Sequence, residues 1–484
     1  MISSDDESLA AAQQEGSATL QGNHLSLWQV SAFGLAAMQL GPGIGYSAAY
    51  LEPIAGSAGW LCLCVALFGS FAIAYCVAAH ARRYVVSGSL MSYASFSLGA
   101  PGRLIAGAAL LVGYVLAMTS NTTIVAMFWT GTMVDLGIPG FQGEPVQLSI
   151  VILATAYASL LAYRGIDASV RMCLVLGFGC VPIVLSVLCA GLLHEGFSIG
   201  GQLDFSNFSQ DALIDGTAAA FGFYVGFDGI TSLAAETKDP ERSVPRILYI
   251  CLIFLGVLLV STCILEAPFI HAHKTDLDLG VSPLALVGRA GGVPMLSTLG
   301  DGLITLSCVA STIAFANYGA RVIATAAHDG LLPMWMAKIH IRHKSPHVAV
   351  MILGVLAAML PTAVALSFHT SPIELTTHMT NMMVYIWLVP YAVICVGAIR
   401  LQLKAGRWNT LGLACGAVGT CGCVFLMAHA VHTSRGPTRS LATAAYGLMA
   451  VTIAVCWWTS RRTRRITHGA AHTPAGVRPE STGQ

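Results

Sequence analysis

Long apolar runs alternate with short polar or charged breaks along almost the whole 484-residue chain. A helix that crosses a bilayer needs about 20 apolar residues. Twelve stretches meet that need, at about 26–51, 57–79, 104–134, 146–163, 172–193, 212–235, 247–270, 296–324, 348–368, 373–399, 408–430 and 440–459. Trp28, Trp60 and Trp408 stand at span ends, where interfacial aromatics collect. Residues 1–24 are polar and acidic without Lys or Arg, so they lack the parts of a signal peptide and read as a disordered tail. Residues 461–484 read as a second tail, basic and then disordered.

Two of the runs are interrupted. The first contains Gln39-Leu40-Gly41-Pro42-Gly43-Ile44-Gly45-Tyr46. Proline lacks a donor and clashes with the preceding turn, and each glycine costs about 1 kcal/mol relative to alanine in a helix. The sixth contains Phe221-Gly222-Phe223-Tyr224-Val225-Gly226-Phe227-Asp228-Gly229, again glycine-rich and now with a carboxylate. These spans begin the two five-helix halves of the chain. Interruptions at matching positions of two halves point to the binding site of a secondary transporter. Unwound backbone in hydrocarbon is too costly unless it lines a cavity, and there its free N–H and C=O groups suit a zwitterion. Taken singly, each glycine cluster is also explained by close helix packing.

Composition narrows the class. Charged residues make up 10% of the chain and hydrophobic ones 55%, with a mean hydropathy of +0.72, whereas soluble domains are about 25% charged. This excludes a soluble enzyme and a disordered protein. The net charge of +1 offers no basic face to a nucleic acid. The expected fold class is an all-α integral membrane protein with twelve transmembrane helices. All of the 24 Lys+Arg except Lys274, Arg289, Arg435 and Arg439 fall on one side of these spans, which places both termini in the cytoplasm of a plasma membrane. The 14 cysteines sit mostly in apolar runs and read as helix-packing residues, without the spacing of a zinc site. No metal and no cofactor is expected. Without a G-x-x-x-x-G-K-[ST] loop, direct nucleotide drive is excluded.

Phe223–Gly229, followed by Ala235-Glu236-Thr237-Lys238-Asp239-Pro240-Glu241-Arg242-Ser243-Val244-Pro245-Arg246, resembles the sixth helix and following loop of the amino acid–polyamine–organocation superfamily. Arg321–Pro333, with its His328-Asp329-Gly330 turn, resembles the stretch after that family's eighth helix, and Gly41–Gly45 resembles its first-helix G-x-G-I. The resemblance covers about residues 26–460. It implies a transporter domain over 25–460 with a leucine-transporter-like 5+5 inverted repeat. Repeat one would span about 26–194, repeat two about 211–403, and two extra helices 408–460. It further implies backbone contacts from Gly41, Gly43, Ile44 and Gly45 to a carboxylate. Phe223, Tyr224, Val225 and Gly226 would contact an amino group and supply an aromatic lid. The implied substrate is an amino acid or related small amine, moved by alternating access as a symporter or antiporter coupled to protons or sodium. Some proton-coupled relatives carry a lysine midway along the fifth helix; here Met172–Leu193 has none, and Cys180 stands near that place.

Individual polar groups fill in the site. Asp228 is an ionisable group inside a span, and such a group is a functional candidate. It would bind substrate ammonium or titrate with transport, or else cap a half-helix. Asn121 in the third span either lines the pocket or bridges helices. Ser311 and Thr312 stand where sodium-coupled relatives place hydroxyl ligands, or hydrogen-bond to their own preceding turn. Glu236, Lys238, Arg242, Arg82 and Arg321 cluster on the cytoplasmic side, where ion pairs could form a gate. The alternative to a carrier is a transport-incompetent amino-acid sensor or partner subunit that keeps the fold. The remaining partner is the lipid bilayer; oligomeric state is not read from the sequence.

Overall fold

The computed structural model describes residues 24–138, 140–196, 202–203, 209–273, 281–368, 372–406, 409–433 and 436–471. Residues 1–23 of the first expected tail and 472–484 of the second lie outside the described residues, as do Lys274, Arg407, Arg435 and Arg478 from the charge count. The described start of the second tail is helical through Ala471.

Sixteen α-helices are present among the described residues: α1 (Leu27–Ala37), α2 (Leu40–Ala55), α3 (Gly59–Ala81), α4 (Ser89–Leu98), α5 (Ala100–Asp135), α6 (Glu144–Tyr163), α7 (Ile166–Phe178), α8 (Cys180–Glu195), α9 (Gln210–Phe221), α10 (Pro240–Ala272), α11 (Pro283–Ala290), α12 (Pro294–His328), α13 (His347–Phe368), α14 (Pro372–Lys404), α15 (Thr410–Thr433) and α16 (Gly436–Ala471). Among the described residues, eleven stretches are long and apolar enough to cross a membrane. The first of these, Leu27–Ala81, is 55 residues long and contains α1, α2 and α3. The only β element among the described residues is an isolated parallel bridge between Leu25 and Thr237.

Local chemistry explains the element ends. Ser26 and Gln29 form a capping box at α1, where the Ser26 side chain accepts from the Gln29 N–H and the Gln29 amide oxygen accepts from the Ser26 N–H. α5 and α12, 36 and 35 residues long, both begin with proline in the first turn, where its missing N–H has no intrahelical partner to lose. Along the spans, hydroxyls bond back to their own helix, as Ser70 does to the Ala66 carbonyl and Thr155 to that of Val151. These hydroxyls are thereby satisfied without water.

α5 packs against both α12 and α14 at the centre, joined by α1, α2 and the segment after α9. Large apolar side chains such as Phe68, Leu153, Val257 and Met359 face outward. An apolar outer belt around a polar-containing core is the pattern of a protein solvated by lipid. On α16, Arg461 lies 3.8 Å over the Trp457 ring, a cation–aromatic pair suited to a membrane boundary.

Candidate functional site

Both expected interruptions exist, with different builds. Between α1 and α2 the chain turns at Met38 and Gln39, and Gln39 adopts a left-handed conformation (φ 55°, ψ 47°). The helix resumes at Leu40, so Gly41–Gly45 forms the first turns of α2. The break lies two residues before the glycines, because proline fits the first turn of a helix and ends only what precedes it. The glycines instead admit close neighbours: a Cβ on Gly41 would lie 2.6 Å from that of Ser307, and one on Gly43 would lie 2.6 Å from Leu259. The Gly41 N–H donates to the Ser307 hydroxyl (3.1 Å), which donates in turn to the Gly177 carbonyl (3.2 Å). Cys180 adjoins this clasp. Removing the hydroxyl with Ser307→Ala leaves a buried N–H unpaired, at a cost of about 1–3 kcal/mol; a lowered melting midpoint of the purified protein is the expected result.

The second break is longer. After α9 the chain makes a 3₁₀ turn at Gly222–Tyr224, passes through extended Val225 and left-handed Gly226 (φ 102°), and continues as a 3₁₀ helix over Phe227–Glu236. Only glycine takes that φ without strain.

The two breaks meet around a small hollow of about 20 Å³, room for one water. Its walls include Gln39, Pro42, Tyr46, Tyr50, Phe223 and Thr380, with Ile124, Ala219, Gly222 and Thr376 completing it. No Lys, Arg, Asp or Glu is among them. The Phe223 ring meets Tyr50 edge to face at 5.7 Å, and the Tyr50 hydroxyl donates to Asn381 (3.3 Å). Beyond this layer a vestibule of about 400 Å³ runs between Asp215, Asn381, Tyr385 and His429, and shares Ala219 with the hollow. There His429 pairs with Asp215 at 2.7 Å.

At the opposite end lies a buried ion pair. Glu236, at the end of the 3₁₀ segment, is held by Arg321 of α12 through Nε (2.8 Å) and a terminal nitrogen (3.1 Å). Both side chains are almost wholly buried. A third Arg321 nitrogen donates to the Asn317 carbonyl, 3.1 Å away. The Leu25 N–H donates to the Glu236 carbonyl and the Lys238 N–H to that of Leu25, stitching the chain before α1 to the chain after the second break.

The residues singled out from the sequence fall into several places. Phe223 lines the hollow, and Gly41, Gly43, Ile44 and Gly45 sit on the α2 turns behind Pro42. Tyr224 points toward α3, donating to the Leu63 carbonyl at 3.3 Å. Val225 and Gly226 form the break itself, with a Gly226 Cβ meeting the Phe315 ring. Asp228 is fully buried below the hollow, and its Oδ1 accepts from Trp387 Nε1 (3.2 Å) and the Tyr391 hydroxyl (2.6 Å). Asn121 is buried in α5 and donates to the Ala117 carbonyl (2.8 Å). The Ser311 hydroxyl donates to the Ala36 carbonyl at the end of α1, and that of Thr312 to the Cys308 carbonyl. Among the described residues no group of three His, Cys, Asp or Glu side chains is arranged for a metal. Of the five charged residues expected to cluster, Glu236 and Arg321 are paired; Lys238 joins through its backbone, and Arg82 and Arg242 face a separate groove.

Sequence reasoning missed Gln39, Tyr46, Tyr50, Thr376, Thr380, Asn381, Ser307 and Tyr391 as participants. Gln39 stood at the edge of the interrupted stretch. Tyr46 stood at its other edge; the rest sit in regular helix with no local mark, and only packing reveals them.

Interrupted helices meeting around a hollow, inside a bundle of membrane-length helices, are the build of a membrane transporter. The chain belongs to the amino acid permease family of the amino acid–polyamine–organocation superfamily: the family model described as amino acid permease matches residues 25–458. An uncharacterized transporter of Mycobacterium tuberculosis is 26% identical over 433 residues, covering 88% of this chain and 90% of the relative. Two Bacillus subtilis proteins are each 24% identical: a methylthioribose transporter, covering 68% of this chain and 70% of its own length, and a branched-chain amino acid permease, covering 66% and 68%. The family and these relatives are transporters and not enzymes.

Proposed function

We propose that this protein is a secondary carrier for an amino acid, or a related small amine, whose side chain bears no charge. The observation that carries this reading is the hollow between the two breaks, lined by aromatic rings, a glutamine and threonines, and without a charged side chain. A cationic or anionic side chain would enter it without a counter-ion, at the cost of an unpaired charge in a low-dielectric site. The α-ammonium can rest on aromatic faces and free carbonyls. The α-carboxylate meets the N-terminal end of α2, where the helix dipole favours an anion.

Alternating access follows from the two ends of the site. The Glu236–Arg321 pair and the Leu25–Thr237 bridge close one end, and the Tyr50–Asn381–Phe223 layer thinly closes the other. In this reading the sealed end faces the cytoplasm, in keeping with the basic residues on that side and with cytoplasmic termini in a plasma membrane. Leu27–Ala81 would cross twice, giving twelve spans. A 5+5 repeat is supported by a short helix before a long one in both halves, α4 then α5 and α11 then α12. Proton or sodium coupling through Asp228, Ser311 and Thr312 remains part of the proposal, with Ser311 and Thr312 bonded to carbonyls and Asp228 held by Trp387 and Tyr391.

The test is uptake of radiolabelled neutral, cationic and anionic amino acids and amines into proteoliposomes under imposed proton or sodium gradients. Saturable uptake of a neutral member is expected. Binding without flux would favour the sensor alternative, and preferential uptake of a cationic amino acid would overturn the uncharged-substrate reading. Gly222 lines the hollow with Val384 3.1 Å from a Cβ there. Gly222→Trp should therefore fill the space and abolish uptake while the protein still purifies as a monodisperse species; unchanged uptake would remove the hollow from the pathway.

A further inference from the structure

A second groove, of about 380 Å³, lies where the end of α3 meets the start of α10. Arg82, Arg242 and Arg246 converge on it, with Glu241, Pro245 and Tyr249. No ion pair to any of the three arginines is found among the described residues, and all three are exposed. The arrangement is electrostatically costly by itself. Arg242 and Arg246 are like charges one turn apart, and they occupy the first turns of α10, the positive end of its dipole. Glu241 offsets one of the three charges.

The same face continues away from the arginines as an apolar strip. Tyr249 stacks on Phe71 of α3 (6.5 Å, 18°). Further along α10, Ile253 and Val257 follow at one-turn spacing and are 54% and 63% exposed, and Phe68 on α3 is 68% exposed. A net-positive pocket at the membrane boundary, leading onto an exposed hydrocarbon-compatible track, matches the two ends of a phospholipid.

We propose that this groove binds an anionic phospholipid, with its phosphate and anionic headgroup against Arg82, Arg242 and Arg246 and an acyl chain along Ile253 and Val257. The site is independent of the transported solute and lies outside the hollow. A free phosphate would use the arginines alone. The apolar track favours the lipid.

The test uses the full-length protein purified in detergent and stripped of lipid. Phosphatidylglycerol, phosphatidylcholine and inorganic phosphate are added separately, with bound lipid counted by native mass spectrometry and thermal stability followed in parallel. Phosphatidylglycerol should bind and raise the melting midpoint, while phosphatidylcholine and inorganic phosphate should do neither at equal concentration. Each of Arg82→Gln, Arg242→Gln and Arg246→Gln should weaken phosphatidylglycerol binding about fivefold. Glu241→Gln should strengthen it, a gain that general damage to the fold cannot produce, and Arg461→Gln, which lies over Trp457 and does not line the groove, should leave it unchanged. Equal binding of phosphatidylcholine, wild-type affinity in the triple arginine variant, or a phosphate effect as large as that of phosphatidylglycerol would each overturn the proposal.

Discussion

Arg321→Gln is expected to be among the most damaging single substitutions in the protein. It leaves the Glu236 carboxylate buried without its counter-ion, and breaking a buried pair from one side costs about 3–5 kcal/mol. The purified variant should melt well below the wild type. In the proposed carrier the cost falls on the sealed conformation, so the balance between sealed and unsealed forms should move by about 10²–10⁴ in favour of the unsealed one. A cysteine introduced near the hollow should then react faster with a thiol reagent supplied from the inner side. Glu236→Gln together with Arg321→Gln removes both charges and should recover more than half of the lost melting temperature. A double variant as unstable as the single one would show that Arg321 acts through Asn317 and packing, and not through the pair.

Gly226→Ala should be nearly as severe, for a different reason. A left-handed φ costs a non-glycine residue roughly 1–2 kcal/mol. The new methyl would also stand 2.8 Å from the Phe315 ring, and overpacking of this kind costs roughly 1–3 kcal/mol more. Gly226 joins the 3₁₀ turn after α9 to the segment that carries Asp228 and Glu236. Uptake should therefore fall at least as steeply as stability. Adding Phe315→Leu should relieve the steric part and leave the backbone part, so partial recovery is expected. Full recovery would mean that the positive φ is not needed for transport.

Much of this architecture was legible in the chain because bilayer insertion forces a simple pattern. Apolar runs with polar breaks mark the helices, and the loss of backbone hydrogen bonds in hydrocarbon makes each glycine-rich interruption meaningful. The second break appeared where Phe221–Gly229 placed it. The first was displaced to Met38 and Gln39, since Gly41-Pro42-Gly43 suits a helix start and the glycines serve the approach of α10 and α12. Asp228 stood out as a lone carboxylate in an apolar run. Its partners Trp387 and Tyr391 lie some 160 positions away, and no local spacing announces such a meeting. Likewise the charges around Glu236 and Arg321 were visible as a cluster, but only the fold separates the Glu236–Arg321 pair from the arginines of the α3–α10 groove.

The hollow between the breaks has room for one water molecule. In the proposed carrier, a chamber that small would work as an airlock whose two doors cannot stand open around an idle interior. Any solute larger than water has to push one wall aside to enter, and the energy for doing so comes from its own contacts. The empty protein should then be tight to ions and metabolites, and the membrane it sits in should keep its gradients whether or not cargo is at hand.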